Sequence, residues 1–354
     1  MKAWKSRNMI TTITNKANIK TTTKKPCNRS FLTLAGLLGL VSSMVLLSGC
    51  ANINLAPSYN KPFKEQVVLK VDGAQAKVLI IDISGSIDDA PKGGLLSQAP
   101  SLMDSVLMQL KKAEKDPQIK TVLLKINTPG GGVTTSDIVY HELIKFKERT
   151  DKKLYIQMMD VAASGGYYIA MAGDHIQAHP TTVTGSIGVI SISPDVSGIM
   201  QKIGVGVNVY TTGKSKDMGS PFRAASETDQ QLFQALVEQM AVRFYEVVQN
   251  QRQLSDDAMI EVKTARIYTG IAAKQAGLVD SLGYLSDATQ AACELADETR
   301  CDVVTYRYQA NENVTAYSPS MASQVSSPEM TLFKPAVLGS TLSLKPGLYY
   351  LLLQ

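Results

Sequence analysis

Two continuous runs rich in β-branched residues, AKVLIIDISG at 76–85 and IKTVLLKINT at 119–128, limit this chain more than any other feature. Neither alternates apolar with polar residues, as a strand with one wet face would, so each reads as a strand buried on both faces of a sheet. The segment between them, SLMDSVLMQLKKAEKD, puts Leu102, Val106, Leu107 and Leu110 on one helical face. Strand, helix, strand in that order makes a right-handed crossover onto a parallel sheet. The order continues with a helix from about Thr134 to Glu148, the strand KLYIQMM at 153–159 and a helix from about Ser164 to Ala172. Strands near Ile176–Ala178 and around Ile187–Ser191 follow. The expected fold class is α/β, a mainly parallel sheet with crossover helices. A long helix at about 227–252 is opened by Ser226 with Asp229 three residues on, a capping-box-like start. Its stripe of Leu232, Leu236, Met240, Phe244 and Val247 or Val248 reads as core or subunit interface.

The 354 residues carry a formal charge of +5, which alone would suggest an acidic partner. The first 49 residues, however, hold eight Lys or Arg and no Asp or Glu, and without them the remainder stands at −3. The basic excess belongs to a leader, and a nucleic-acid reading loses its support. That leader runs from a cationic n-region into FLTLAGLLGLVSSMVLL at 31–47 and then SGC, the pattern of an export signal. Leu47, Ser48 and Gly49 before Cys50 resemble the bacterial lipobox, in which the Cys50 thiol carries a lipid and residues 1–49 are removed. Ala51 follows, with no aspartate of the kind that retains lipoproteins at an enterobacterial inner membrane. The expectation is a lipid-anchored protein of the bacterial cell envelope facing the periplasm or exterior, with the outer membrane favoured. Residues 50–66 read as a polar tether, 67–308 as the main domain, and 309–354 as a Ser-, Pro- and Ala-rich tail ending in PGLYYLLLQ. Of four cysteines, Cys27 lies in the leader and Cys50 in the lipobox; Cys293 and Cys301 could bridge if their backbones approach closely enough. Three histidines and these cysteines offer no metal-ligand spacing, so no metal is expected.

Four Gly-rich stretches stand out together: INTPGGGVTTSD (126–137), AASGGYYIAMAGD (162–174), TVTGSIGVI (182–190) and TGKSKDMGSP (212–221). In the first, three glycines after a buried strand let backbone N–H groups point into a crevice, as an oxyanion requires. A tight strand-to-helix turn would look the same. In the second, Ser164 stands at a helix N-terminus, either as an ordinary N-cap or as a nucleophile favoured by the helix dipole. A serine nucleophile needs a base. None of His141, His175 and His179 sits in a setting built for one, which leaves lysine, and Lys216 in GKSKDMG is the candidate. Bringing a lysine from about 10.4 to near 7 takes burial costing about 4 kcal/mol. Asp217 beside it would oppose that if its carboxylate faced the amine. Ser186 in TGSIG could hydrogen-bond a neutral lysine or simply shape a turn.

In this order the four stretches resemble the signal peptide peptidase A family of bacterial serine peptidases, whose fold is related to the Clp protease and crotonase group. The resemblance runs from about Lys77 to Asp297 and includes YTGIAAKQAGLVDSLG at 268–283. It implies Ser164 as nucleophile, Lys216 as general base with Lys214 a surface residue, Ser186 as the lysine's partner, and Gly131 and Gly165 as oxyanion donors. NTPGG here replaces the commoner NSPGG. The single sheet domain is similar to the family's short form, whose subunits assemble into a ring in which neighbours can complete the dyad. The expectation is therefore a membrane-tethered serine endopeptidase without cofactor, acting on signal peptides or other extended apolar peptides. A crotonase-like acyl-CoA enzyme shares the oxyanion geometry but has no evident use for Ser164 and Lys216. A non-catalytic surface lipoprotein scaffold is the third reading.

Overall fold

Parallel pairing of the two apolar runs sets the frame. In this computed structural model, residues 63–94, 97–308, 314–318 and 347–351 are described. The leader, Cys50 and most of the expected tether lie outside them, as does most of the expected tail. In chain order the first half runs β1 (Lys64–Leu69), β2 (Ala76–Ser84), β3 (Lys92–Gly94), β4 (Ser97–Ala99), α1 (Leu102–Glu114), β5 (Ile119–Thr128), β6 (Gly130–Gly132), α2 (Val133–Thr150), β7 (Lys153–Ala163), α3 (Gly165–Ala170) and β8 (His175–Ala178). The second half runs β9 (Val183–Gly185), β10 (Ile190–Ile192), α4 (Ser197–Lys202), α5 (Glu227–Arg252), α6 (Asp256–Lys263), β11 (Ile267–Thr269), α7 (Gly270–Gln275), β12 (Ser281–Leu282), α8 (Leu285–Glu294), β13 (Cys301–Arg307) and β14 (Gly347–Leu351).

The main sheet has the order β1-β13-β2-β5-β7-β8-β12. From β13 to β12 every neighbour is parallel, and β1 closes one edge antiparallel to β13. β1 starts inside the stretch expected as tether, because its backbone pairs with β13 from Lys64 onward. The two faces of the sheet are sealed separately. Leu79, Ile81, Val122, Leu124 and Ile126 face the same core as Leu102, Val106 and Leu110 of α1. Val78, Ile80, Leu123 and Tyr155 pack on the opposite side with Leu285, Ala288 and Ala292 of α8. Each such side chain, fully buried, contributes roughly 1.5–3 kcal/mol, which is why runs without polar alternation end up here. Cys293 of α8 and Cys301 of β13 are bridged, with Cα atoms 5.9 Å apart.

β7 changes partners along its length. Tyr155–Met158 pair with β8, while Val161–Ala163 pair with β9, which β11 extends antiparallel. The β5–β7 register shifts between Ile126 and Thr128, so the end of β7 bends out of the main sheet. The strand expected around Ile187–Ser191 is the shorter β10, and an unexpected strand, β9, precedes it across a turn at Ser186 whose φ is +50°. α5 spans the expected residues, with the Ser226–Asp229 capping box formed. Its stripe divides: Phe244, Val247 and Val248 are core, whereas Leu232 is 44% exposed.

Candidate active site

Ser164 fills the single position between β7 and α3, with φ +52° and ψ −113°. A residue with a Cβ held there costs about 1–3 kcal/mol and persists only when its surroundings fix it. They do. Its N–H donates to the Gly185 carbonyl at 2.8 Å, and its own carbonyl accepts from Tyr168 N–H at 2.8 Å. The next turn presses so closely on β5 that a Cβ at Gly166 would lie 2.6 Å from Thr128 Cγ2. An ordinary N-cap serine would accept a hydrogen bond from the first helical turn, but Ser164 makes no such bond. Its Oγ is buried without a partner, and the residue is 1% exposed. Leaving a buried hydroxyl unpaired costs about 1–3 kcal/mol, so this is a poor structural serine. Gly165 opens α3, and its N–H is among those of the first turn that lack an acceptor within the helix.

Ser186 stands on the neighbouring strand end. Ala163 pairs with Gly185, and one residue further each chain turns off at a serine of positive φ. Ser186 N–H donates to Arg266 O at 2.9 Å. Gly185 before it has φ +84°, and a Cβ there would strike the Tyr268 ring at 2.7 Å and Arg266 O at 2.8 Å. Ser186 is half-buried, close to Ser164 through backbone pairing.

Gly131 lies on a second wall, β6, against which α3 packs. Ile87 N–H donates to Gly130 O and Ile87 O accepts from Gly132 N–H, both at 2.9 Å. In a parallel bridge this leaves Gly131's own amide facing away from Ile87, toward β14, where Tyr350 is its register partner. Any side chain is forbidden, since a Cβ on Gly131 would sit 2.1 Å from Ile87 O. Thr128 supports this wall, accepting from Gly130 N–H at 3.1 Å and donating to Gly85 O. Ile87 and Thr128 escaped the sequence reading; Thr128 is the residue at which NTPGG differs from NSPGG, while nothing in the sequence marks Ile87.

Lys216 is not brought to Ser164 within one chain. It is exposed, in a turn in which its N–H donates to Gly213 O at 3.1 Å, and Ser164 Oγ has no partner. The burial expected for Lys216 is therefore absent here, because no described element packs over the 213–216 turn. Asp217 does not compete for the lysine. Arg223 grips both its oxygens, Nε to Oδ2 at 2.7 Å and NH2 to Oδ1 at 2.8 Å, and reaches Asp229 of the α5 cap with NH1. These bonds to Arg223 hold Asp217 below the usual carboxylate range and push Asp229 down to about 2. Sequence reasoning missed Arg223, although its spacing of six residues from each aspartate was visible.

A further clamp joins the helices that carry the two walls. Tyr168 of α3 donates to Asp137 Oδ1 of α2, and Arg243 of α5 stands 3.5 Å from the same carboxylate. The histidines are engaged elsewhere: His175 Nε2 meets Ser281 Oγ at 2.7 Å, His179 lies edge-on to Tyr284, and His141 is exposed on α2. Among the described residues no group of three His, Cys, Asp or Glu could hold a metal ion.

Residues 146–299 match peptidase family S49, and residues 97–184 match the Clp protease family. Ser164 falls in both matches, Ser186 and Lys216 in the first, and Gly131 in the second. A protein from Enterococcus faecium described as a candidate signal peptide peptidase SppA is 36% identical over 239 residues, 68% of this chain and 69% of that one. Protease 4 of Salmonella typhi is 35% identical over 193 residues, 54% of this chain but 31% of its own longer chain. The chloroplastic serine protease SPPA of Arabidopsis thaliana is 31% identical over 231 residues, 65% of this chain and 34% of its own.

Proposed function

The chain belongs to peptidase family S49, and from that premise we propose that it is a serine endopeptidase in which Ser164 and Lys216 form the catalytic dyad. One observation carries the reading: Ser164 occupies a strained turn at a helix N-terminus with its hydroxyl buried and unpaired, and the helix it opens packs against β6, which carries Gly131. Ser164 Oγ attacks the peptide carbonyl while Lys216 Nζ takes its proton. The oxyanion is held by the N–H groups of Gly131 and Gly165. Lys216 returns the proton to the leaving amine, and water hydrolyses the acyl-enzyme. Ser186 orients the neutral amine.

The lysine comes from a second copy of the chain. Lys216 is exposed while Ser164 is covered, and the segment before it presents Ile203, Val205, Val207, Val209 and Tyr210 to solvent, Tyr210 at 93%. A neighbour covering this apolar stretch in a ring would exclude water around Lys216, and that burial is what lowers a lysine's pKa. The enzyme is held at the cell envelope by a lipid on Cys50 and takes extended apolar peptides, signal peptides among them.

The test uses casein and an apolar signal-like peptide with wild type, Ser164→Ala, Lys216→Ala and an equal mixture of the two variants. Each variant alone is expected to lose at least about 10³-fold in activity. The remixed variants should recover about a quarter of the wild-type rate, since a quarter of sites then unite an intact serine with a neighbour's intact lysine. A mixture that stays inactive places the dyad within one chain. A folded but inert wild type leaves the scaffold reading.

A further inference from the structure

The groove between β6 and β10 is filled by the chain itself. β14 forms the middle strand of a three-stranded sheet, antiparallel to β6 on one side and β10 on the other. Tyr349 is opposite Gly132 and Ile190 at once, Leu348 is opposite Ser191, and Tyr350 is opposite Gly131. A peptide inserted between two edges in this way satisfies its main chain on both sides, the mode by which extended peptides are recognised. The strand faces the amide assigned to the oxyanion. It also packs against α2 and α3, the helix that follows Ser164. Ser164, at the start of that helix, is 1% exposed.

The same stretch of chain is fixed at a second point. Lys125 interrupts the apolar run of β5, is 5% exposed, and lies 3.8 Å from Asp82 Oδ1 on β2. A buried ammonium needs acceptors for its three donors. It finds them in the turn at 315–318: the carbonyls of Ala316, Tyr317 and Ser318 accept from Nζ at 3.3, 3.4 and 3.2 Å. The turn is locked internally by Thr315 N–H to Ser318 Oγ and Ser318 N–H to Thr315 O, both 3.0 Å. Lys125 thus selects a particular backbone turn, separated from the start of β14 by 28 residues.

We propose that Gly347–Leu351 is a built-in competitor for the peptide groove, and that the 315–318 turn seated on Lys125 is the anchor that keeps it there. The proposal rests on the reading of that groove as the substrate site, and it deepens that reading. The sequence that fits the slot, GLYYL, indicates that the peptides it admits are apolar and extended. An intramolecular competitor acts at an effective concentration on the order of 1 mM, so a segment binding in trans at about 0.1 mM holds its groove about nine-tenths closed. Substrates are cleaved when they displace the strand or when the anchor releases it.

The test compares the full chain with two full-length variants. Tyr349→Pro removes an N–H from the middle strand, and Lys125→Met removes the ammonium that holds the turn. Amide hydrogen exchange at 130–132 and 190–192 reports groove occupancy without relying on activity. Exchange there should rise in Tyr349→Pro and fall again when a synthetic KPGLYYLLLQ peptide is added. With a signal-like substrate, kcat/KM should rise about tenfold in Tyr349→Pro and in part in Lys125→Met, and the peptide should reverse the gain competitively. Unchanged exchange in Tyr349→Pro, together with a peptide that protects nothing, would overturn the proposal even if the chain hydrolyses casein. Protection by the peptide in a chain that cleaves nothing would uphold the competitor and overturn the peptidase.

Discussion

Ser164 and Ser186 leave adjacent parallel strands one residue past the same rung, Ala163 opposite Gly185, and both do so with φ near +50°. Side chains with a Cβ are strained in this conformation, and here two serines adopt it side by side. The strain and the unpaired Ser164 hydroxyl lower stability in favour of position. Ser164→Gly should relieve about 1–3 kcal/mol of strain, offset by about 0.4–1 kcal/mol of added chain entropy in the unfolded state. The expected outcome is an inactive enzyme whose Tm rises by about 2–4 °C. Ser164→Ala should be equally inactive without the full gain. Scanning calorimetry of both decides, and a Ser164→Gly protein that melts below wild type removes the strain argument.

Gly166 and Thr128 should be coupled. Gly166→Ala drives its Cβ to 2.6 Å from Thr128 Cγ2, an overpacking worth about 1–3 kcal/mol. Thr128→Ser deletes that methyl and keeps the oxygen that accepts from Gly130 N–H at 3.1 Å. The double variant should regain most of the loss, which urea titration of the four proteins in the cycle would measure as a coupling energy above about 1 kcal/mol. Additive losses would show that the contact is relaxed elsewhere.

The frame of this fold was legible because a strand buried on both faces leaves its mark in every residue, as β2 and β5 do. The span of α5 was legible for another local reason, the reciprocal bonds of Ser226 and Asp229. What escaped depends on tertiary context. Nothing in TVTGSIGVI says that Ser186 takes a positive φ or that Val183–Gly185 forms a strand of its own. Nothing in IKTVLLKINT says that Lys125 is to be seated under a turn from 315–318. The stripe on α5 was periodic throughout, yet Phe244 is core and Leu232 is 44% exposed, because periodicity defines a face but not what covers it. The turn positions of Ser164 and Gly131 were marked by their neighbouring glycines, while the exposure of Lys216 was not legible.

Cys293 and Cys301 close a loop of eight residues and pin α8 to β13 beneath the sheet. A loop of this length constrains the unfolded chain by about 2.5 kcal/mol. Reduction by dithiothreitol should lower Tm by about 5 °C and leave the rate at 25 °C unchanged, because the pair lies on the face away from Ser164. A thermal melt with and without reductant checks the first part and a peptide assay the second. Loss of activity on reduction at a temperature where the fold persists would mean that α8 positions the site.

Arg223 is the test of how the lysine loop is held. It bonds Asp217 beside Lys216 and Asp229 in the α5 cap, so one guanidinium ties the loop to a helix start. Its hydrogen bond pushes Asp229 down to about 2. A carboxyl whose pKa is lower in the folded chain adds stability that is complete above its ordinary value of about 3.9 and is lost as pH falls toward 2. The bonds should therefore survive at pH 5 and fail between about pH 4 and 2. Arg223→Gln removes the partner, and the Asp229 titration followed by carboxyl NMR should move up toward the ordinary range. An Asp229 that titrates normally in the wild type, or that does not move in Arg223→Gln, would show that Arg223 braces the loop without shifting its carboxylates.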